Sequence, residues 1–234
     1  MVLLAGGDAP YTLLSIAGFE LLPFFSTKEA CSLRLVCREF QGSVRDFPWA
    51  DAQTAIKDLG KWRASFPMAS SARLCWRSVH TDAAFAHLRG IRILDMSDCW
   101  KSTITSAAFA NLTGIHTLSM VGCTQNTITD AAFAHLRGIV NLNMCGCFQH
   151  SITDAAFTHL RGIHTLDISC CLQITDAAFA PLAGIHTLSM GGCIQPYITD
   201  AAFAQLAGVH ALNMFGCPPA CIAAARVRGL PVIL

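Results

Sequence analysis

The most constraining feature of the sequence is a unit that occurs six times in succession. Each unit carries one phenylalanine and one cysteine at matching positions, and successive copies are 24 residues apart, or 22 at a single step. A constant period of this length indicates that each unit is one structural turn that stacks on the next, so we predict a solenoid. The units are 81–104, 105–128, 129–152, 153–174, 175–198 and 199–222.

The residues that end at each cysteine predict a short strand. They follow I-x-x-L-x-M-x-x-C, as in Ile115, Leu118, Met120 and Cys123, with Ile168 replacing the methionine once. Because successive side chains of a strand point to opposite faces, Leu118 and Met120 share one face. We predict that this apolar face packs in the core and that the opposite face is open.

The residues that begin each unit predict a short helix. They follow T-D-A-A-F-x-x-L-x-G. Thr129 is suited to cap the first free amides, Asp130 suits the positive end of the helix, and Gly138 suits a left-handed exit. Phe133 and Leu136, three residues apart, are expected to face the core.

The six units resemble the cysteine-containing class of leucine-rich repeats. That family's pattern is L-x-x-L-x-L-x-x-C-x-x-I-T-D followed by a short helix, and it is matched here by Leu166, Ile168, Cys171, Ile174 and Asp176. The resemblance implies an α/β solenoid with parallel strands on a concave face and short helices outside. It also implies a protein-binding function for the concave face.

Composition excludes several classes of partner. Net charge is +1, which gives no reason to expect nucleic acid or an anionic membrane. No apolar run is long enough for a membrane span, and the start of the chain lacks the basic region of a secretion signal. We therefore expect a cytoplasmic or nuclear protein in a reducing compartment, without a nucleic-acid or membrane partner.

The cysteines and histidines form columns that could suggest a metal or redox site. Six of the 12 cysteines recur once per unit and are expected to be buried, structural thiols. Cys145 and Cys170 lie outside that column on neighbouring strands, either as metal ligands or because small residues are tolerated there. A histidine column is expected on the solvated rim. It consists of His116, His164, His186 and His210. We expect no metal and no cofactor, and a metal or redox enzyme is the least favoured hypothesis.

No catalytic motif is present in the sequence. It lacks a G-x-S-x-G elbow, a G-x-x-x-x-G-K phosphate loop and an H-E-x-x-H pair, and its glutamates all precede the repeats. We expect that the protein is not an enzyme.

The N-terminal residues predict a second, helical module. Ser26 and Glu29 form a capping box that opens an amphipathic helix with Ala30 and Val44 on its apolar side. Pro23 is expected to end a preceding helix and to force a turn. Taken alone, these helices could simply cap the open end of the solenoid.

The same residues resemble an F-box. Leu21-Leu22 and Phe25 precede the run A-C-S-L-R-L-V-C-R-E-F at 30–40, and Trp49 stands where that family usually has a tryptophan. The resemblance implies docking on the adaptor subunit of a cullin-based ubiquitin ligase, so the adaptor and the cullin are the implied partners. The residues that match the F-box apolar pattern are Leu21, Leu22, Phe25, Leu35, Val36 and Phe40.

These patterns predict four segments: an F-box-like helical module at 11–50, a linker and degenerate capping repeat at 51–80, six repeats at 81–222 and a capping strand at 223–234. In the linker we expect a helix near 55–64 and a strand within Ser71 to Val79 that places Leu74 in the column of the repeat leucines. After the last repeat, Val227 to Ile233 imitates L-R-G-I-x-x-L and predicts a shortened helix and a strand.

The resulting functional hypothesis is an adaptor that recruits an unknown protein substrate to the ligase. The alternative is a freestanding leucine-rich-repeat protein that binds its partner without a ligase. Open-face positions vary between units, so they are the predicted substrate-binding residues: Ile93, Asp95, Ser97, Thr117, Ser119, Asn141, Asn143, Thr165, Asp167, Thr187, Ser189, Asn213 and Phe215. Aromatic and aliphatic residues in the turns after the cysteines form a second candidate surface.

Overall fold

A computed structural model describes residues 22–33, 38–51, 53–101 and 103–234. These residues contain a single parallel sheet of nine strands that pair in chain order. Its strands are β1 Ala55–Ile56, β2 Ser71–Leu74, β3 Ile93–Asp95, β4 Thr117–Ser119, β5 Asn141–Asn143, β6 Thr165–Asp167, β7 Thr187–Ser189, β8 Ala211–Asn213 and β9 Val232–Ile233. The predicted α/β solenoid is therefore confirmed.

The register of the sheet stacks equivalent leucines on one another. Leu118 pairs with Leu94 on one side and with Leu142 on the other. The same register continues to the last repeat, and each leucine of the column is at most 2% exposed. The predicted core column is confirmed as Leu94, Leu118, Leu142, Leu166, Leu188 and Leu212.

The first two described helices precede the first strand, and the other helices connect consecutive strands. The helices are α1 Thr27–Leu33, α2 Arg38–Asp46, α3 Leu59–Ser65, α4 Asp82–Phe85, α5 Asp130–Phe133, α6 Asp154–Phe157, α7 Asp200–Ala204 and α8 Pro219–Val227. Short 3-10 turns complete or replace them at Leu22–Phe24, Ala86–Leu88, Ser106–Leu112, Ala134–Leu136, Asp176–Ala178 and Ala180–Leu182. As predicted, Thr129 Oγ1 caps α5 by accepting from the Ala131 amide, and Gly138 has a φ of 81°.

The aspartates that begin the repeat helices have a function that the sequence prediction missed. The Asp130 carboxylate accepts from both the amide and the hydroxyl of Thr153 in the next repeat, at 2.7 and 2.8 Å. Ser106 partly replaces this clamp, since its Oγ accepts from the Thr129 amide at 2.9 Å. The clamp therefore ties consecutive helices together, and it recurs at Asp82–Thr105, Asp154–Thr175 and Asp176–Thr199.

The cysteine column is buried, as predicted. The Cys147 thiol donates to the Met120 carbonyl of the preceding repeat at 3.2 Å, and Cys123, Cys171, Cys193 and Cys217 make equivalent bonds. Burial raises the pKa of Cys99, Cys147 and Cys193 to about 12. These thiols are therefore protonated and structural at neutral pH.

The N-terminal module shares its core with the solenoid. The predicted capping box is present, because the Ser26 amide donates to Glu29 Oε2 at 2.8 Å and the Glu29 amide donates to Ser26 Oγ at 3.3 Å. Leu22, Ala30 and Val44 are fully buried and belong to the same apolar cluster as the repeats. Pro23 lies in the 3-10 turn Leu22–Phe24, and the helix predicted before it lies outside the described residues.

The segment between module and repeats differs from the prediction in two ways. The helix expected near 55–64 is present but begins later, at Leu59, because strand β1 comes before it and the Asp58 side chain caps its start by accepting from the Lys61 amide. In addition, Ala72 rather than Leu74 pairs with Leu94. The predicted strand was thus shifted by two residues, and Trp76 and Val79 are exposed instead of buried.

The C-terminal prediction was partly wrong. Strand β9 is present and pairs with β8, but α8 spans nine residues and is not shortened. Val227 is 88% exposed, although the imitation of the repeat pattern placed it in the core. Pro219 lies at the start of α8, where proline favours helix initiation.

Candidate functional site

The sheet face opposite the helices, called here the concave face, holds the predicted substrate-binding residues. Most of them are half-exposed, while Ile93 and Phe215 are 39% and 71% exposed. The face is polar, and among its described strand residues the charged ones are Arg73, Asp95 and Asp167. Alternation along the strands brings these side chains together while the leucine column faces inward.

Hydrogen bonds across the strands order the polar side chains. Ser169 Oγ lies 2.9 Å from Ser189 Oγ, and the side-chain amide of Asn141 donates to Thr117 Oγ1 at 3.2 Å. At one end, Arg73 and Asp95 form an ion pair at 3.3 Å. The concave face is therefore a preorganised set of hydroxyl and amide groups, suited to hydrogen bonding with a polypeptide.

A shallow depression of ≈ 300 Å³ lies at the centre of the concave face. It brings together residues of strands β4 to β7, among them Asn143, Asp167 and Ser189. Asp167 is its only charged lining residue. The depression has room for a protruding side chain of a partner.

A second surface follows the turns after the strands, as predicted. Its side chains are large, apolar and 42% to 63% exposed. They are Trp100, Phe148, Leu172, Ile194 and Tyr197. Lys101 lies over the Trp100 ring at 4.8 Å, which partly shields that aromatic face.

Cys145 and Cys170 lie at the edge of the concave face and are half-exposed. Cys170 has a φ of 60°, in a column otherwise occupied by glycines and by Asp98 at 58°. A Cβ on Gly192 would come within 3.0 Å of Cys170 Sγ, so this thiol is directed towards the following repeat rather than towards Cys145. This packing agrees with the interpretation that the column accepts small residues.

The histidine column lies on the rim, as expected. His164, His186 and His210 are stacked, with ring centroids 4.4 and 4.3 Å apart. Desolvation in the stack and the adjacent His210 and His164 rings lower the pKa of His186. Among the residues that the structure describes, no group of three or more histidine, cysteine or acidic side chains is placed to hold a metal.

The predicted adaptor-binding residues whose side chains the structure describes are used for packing in the module. Leu22 is buried and Phe25 packs partly against the core, so both serve the fold of the module. Phe24, which the sequence analysis did not select, is 82% exposed. Leu21, Leu35 and Val36 lie outside the described residues, as does the side chain of Phe40, whose backbone belongs to α2.

A column of glutamines was also missed. Gln173 and Gln195 donate from their side-chain amides to the carbonyls of Cys147 and Cys171 in the preceding repeats, at 3.0 and 3.1 Å. The signal was available, because glutamine occupies the second position after the cysteine in four units. These residues bridge the turns and stabilise the rim below the exposed apolar side chains.

Comparisons with known proteins identify the fold. No family model and no curated protein matches the sequence. Among solved structures, Rad7 in complex with Elc1 from yeast has 17% identity and a TM-score of 0.61, covering 84% of this chain and 56% of Rad7's. Drosophila Toll in complex with Spatzle has 10% identity and a TM-score of 0.58, covering 80% and 30%. TLR13 bound to ssRNA13 has 17% identity and a TM-score of 0.54, covering 68% and 24%.

The chain thus has the leucine-rich-repeat fold and spans about half the length of the first of these structures. Sequence identities this low support a shared fold and nothing further. Within the described ranges, every helix is too short or too polar to traverse a lipid bilayer.

Proposed function

We propose that the protein is a substrate receptor of a cullin-based ubiquitin ligase. In this proposal the N-terminal module docks on the ligase adaptor, and the concave face holds a target protein. The F-box resemblance of 13–49 and the leucine-rich-repeat fold support the two halves. The similarity to Rad7, whose solved structure is a complex with Elc1, makes Elc1 a second candidate partner to test.

The observation that carries the adaptor half is the exposure of Phe24. Its neighbours Leu22 and Phe25 pack in or against the core, whereas the Phe24 ring is 82% exposed at the turn before α1. Large exposed aromatic side chains are frequent anchors of protein interfaces. Phe24 is therefore the residue we propose to insert into the adaptor.

The mechanism is proximity. One apolar cluster runs from Leu22 to Ala225, so the module and the repeats form a continuous body. A rigid receptor holds its target at a fixed distance from the other ligase subunits and raises the effective concentration of the target there. The proposal assigns no catalytic step to this chain.

The second candidate function is a freestanding repeat protein whose N-terminal helices only cap the solenoid. Leu22, Ala30, Val44 and Trp49 are at most 1% exposed and pack in the shared core, as a cap would. Under this alternative the protein binds a partner through the same concave face but recruits no ligase.

Affinity purification of the tagged full chain tests the proposal, with the ligase adaptor, Elc1 and the cullin detected by immunoblot. We expect the wild type to retain an adaptor and the cullin, and Phe24→Ser to lose both at an unchanged melting temperature. Phe148→Ser removes an exposed phenylalanine elsewhere and should retain both. No adaptor on the wild type, or equal retention by Phe24→Ser, would favour the freestanding alternative.

A further inference from the structure

We propose that the concave face selects an extended peptide segment that carries a basic side chain and an apolar side chain three or four residues apart. The basic side chain contacts Asp167, and the apolar one contacts Phe215. The proposal rests on the receptor function proposed above and specifies the chemistry of its target.

The fold does not need the negative charge of Asp167. Its Oδ1 accepts from the Ser169 amide at 2.9 Å, which orders the end of β6. Asn143 and Asn213 occupy the same position in β5 and β8, and each accepts from the corresponding amide at 3.0 Å. Because an uncharged amide performs the structural task twice, the carboxylate is free for another function.

The charge of Asp167 is also unbalanced. Asp95, its counterpart in β3, is paired with Arg73. Across the part of the chain that the structure describes, no cation forms an ion pair with Asp167, and its Oδ2 makes no hydrogen bond. A half-buried carboxylate in a depression attracts a lysine or arginine more strongly than one in open water.

Phe215 provides the apolar contact. It is 71% exposed on the same face, and Ile233 on the neighbouring strand β9, paired with Asn213, is 54% exposed. Asp167 lies in register with Ser189, and Ser189 with Asn213, two residues before Phe215. Two strand spacings of about 4.8 Å and two residues along the strand place Asp167 and Phe215 about 12 Å apart. An extended chain covers that distance in three or four residues, at about 3.3–3.6 Å each.

The remaining groups fit a peptide backbone. Asn143 and Ser189 lie beside Asp167 in the depression and offer an amide and a hydroxyl. Arg73, the cation of strand β2 on the concave face, is engaged with Asp95. The face therefore offers hydrogen bonds and one negative charge, which matches a basic peptide and not a phosphate-rich ligand.

Selection of a random displayed peptide library on the purified full chain tests the proposal. We expect peptides with lysine or arginine three or four residues from an apolar residue. Asp167→Asn, which imitates the neighbouring repeats, should weaken a selected peptide roughly tenfold or more. Asp46→Asn removes an exposed carboxylate at the end of α2, outside the concave face, and should leave the selection unchanged, whereas Phe215→Ser should remove the apolar preference.

Two results would overturn the proposal: selected peptides without a basic preference, or an unchanged preference on Asp167→Asn. Failure of the whole chain to enrich any peptide counts against it as well. Adaptor binding is measured on the same variants and should be unaffected by Asp167→Asn. Absence of adaptor binding by the wild type, with its peptide preference intact, would therefore contradict the ligase function alone.

Discussion

Neighbouring repeats are joined by contacts that recur at every turn, whereas the N-terminal module is joined to the solenoid by contacts that occur once. Between repeats, the leucine column, the thiol–carbonyl bonds and most aspartate–threonine clamps are near copies of one another. The module instead depends on Trp49, which packs edge-on against Phe66 with ring centroids 5.7 Å apart, and on Asp51, which binds Thr27.

This difference indicates which substitutions should destabilise one region of the molecule and not the other. In a solenoid each unit contacts only its neighbours, so equivalent substitutions in different repeats should have similar effects. A contact that occurs once has no such equivalent. Its removal should separate the module from the repeats without weakening the repeats themselves.

Trp49→Ala should have the largest effect. The ring is 1% exposed, packs against Phe47 and Phe66, and donates from Nε1 to the Val44 carbonyl at 2.6 Å. We expect a loss of about 3–5 kcal/mol in the free energy of unfolding of the N-terminal module, measured by urea denaturation. Trp100→Ala removes a half-exposed ring as the control and should cost less than about 0.5 kcal/mol. Equal effects of the two substitutions would mean that Trp49 does not anchor the module.

Leu142→Ala should come next. Its side chain is 2% exposed in the middle of the leucine column, so we expect a loss of about 2–5 kcal/mol. Leu118→Ala, in the preceding repeat, should give the same loss to within about 1 kcal/mol because its surroundings are nearly identical. Leu172→Ala in an exposed turn is the control. A large difference between Leu142→Ala and Leu118→Ala would show that the repeats are not equivalent.

Asp51, at the junction between module and solenoid, should make a smaller contribution to stability that depends on pH. Partial burial raises its pKa, but bonds from Thr27, Thr54 and Gln53 outweigh that effect and lower the pKa from 3.8 to about 2. Its stabilisation is therefore complete above pH 3.8 and lost as the pH falls through about 2. Asp51→Asn should reduce stability at neutral pH and flatten this acid decline, as followed by thermal melting. Asp46→Asn on the exposed end of α2 should reproduce the wild-type profile.

The accessibility of cysteine thiols to a reagent should distinguish the buried core of the repeats from the exposed helix of the module. This test requires no substitution. Cys31 of α1 is exposed, whereas Cys99, Cys147 and Cys193 are buried and have pKa values raised to about 12. In native protein near pH 8, iodoacetamide should modify Cys31 rapidly and leave these three unmodified until urea is added. Mass spectrometry of tryptic peptides reads the sites. Rapid modification of Cys147 in the native state would contradict the buried column.

The recurring part of the fold was the part that the sequence could predict. Six copies fix the phase of each leucine and cysteine, because only one alignment satisfies all of them. At Ser71–Leu74 there is no second copy to fix the register, and the sequence favoured Leu74 over the smaller Ala72 in the leucine column. In the structure, Ala72 pairs with Leu94 in the leucine column. With this register Leu74 and Ala69 are buried in the core, and Trp76 is exposed.

The candidate site was predictable only in outline. Alternation placed the concave residues correctly, but it could not show that Arg73 neutralises Asp95 and leaves Asp167 unpaired. That difference depends on a strand whose register the sequence did not reveal. Likewise, the F-box pattern marked Leu22 and Phe25, while the exposure of Phe24 depends on the turn that contains Pro23.

Calorimetric titration of the full chain with a purified adaptor subunit of a cullin-based ligase tests the division between the two regions most directly. We predict one adaptor bound per chain, an affinity reduced at least tenfold by Phe24→Ser, and no change with Asp167→Asn. No heat of binding with the wild type, or the same affinity with Phe24→Ser, would contradict the assignment of the N-terminal module to ligase recruitment.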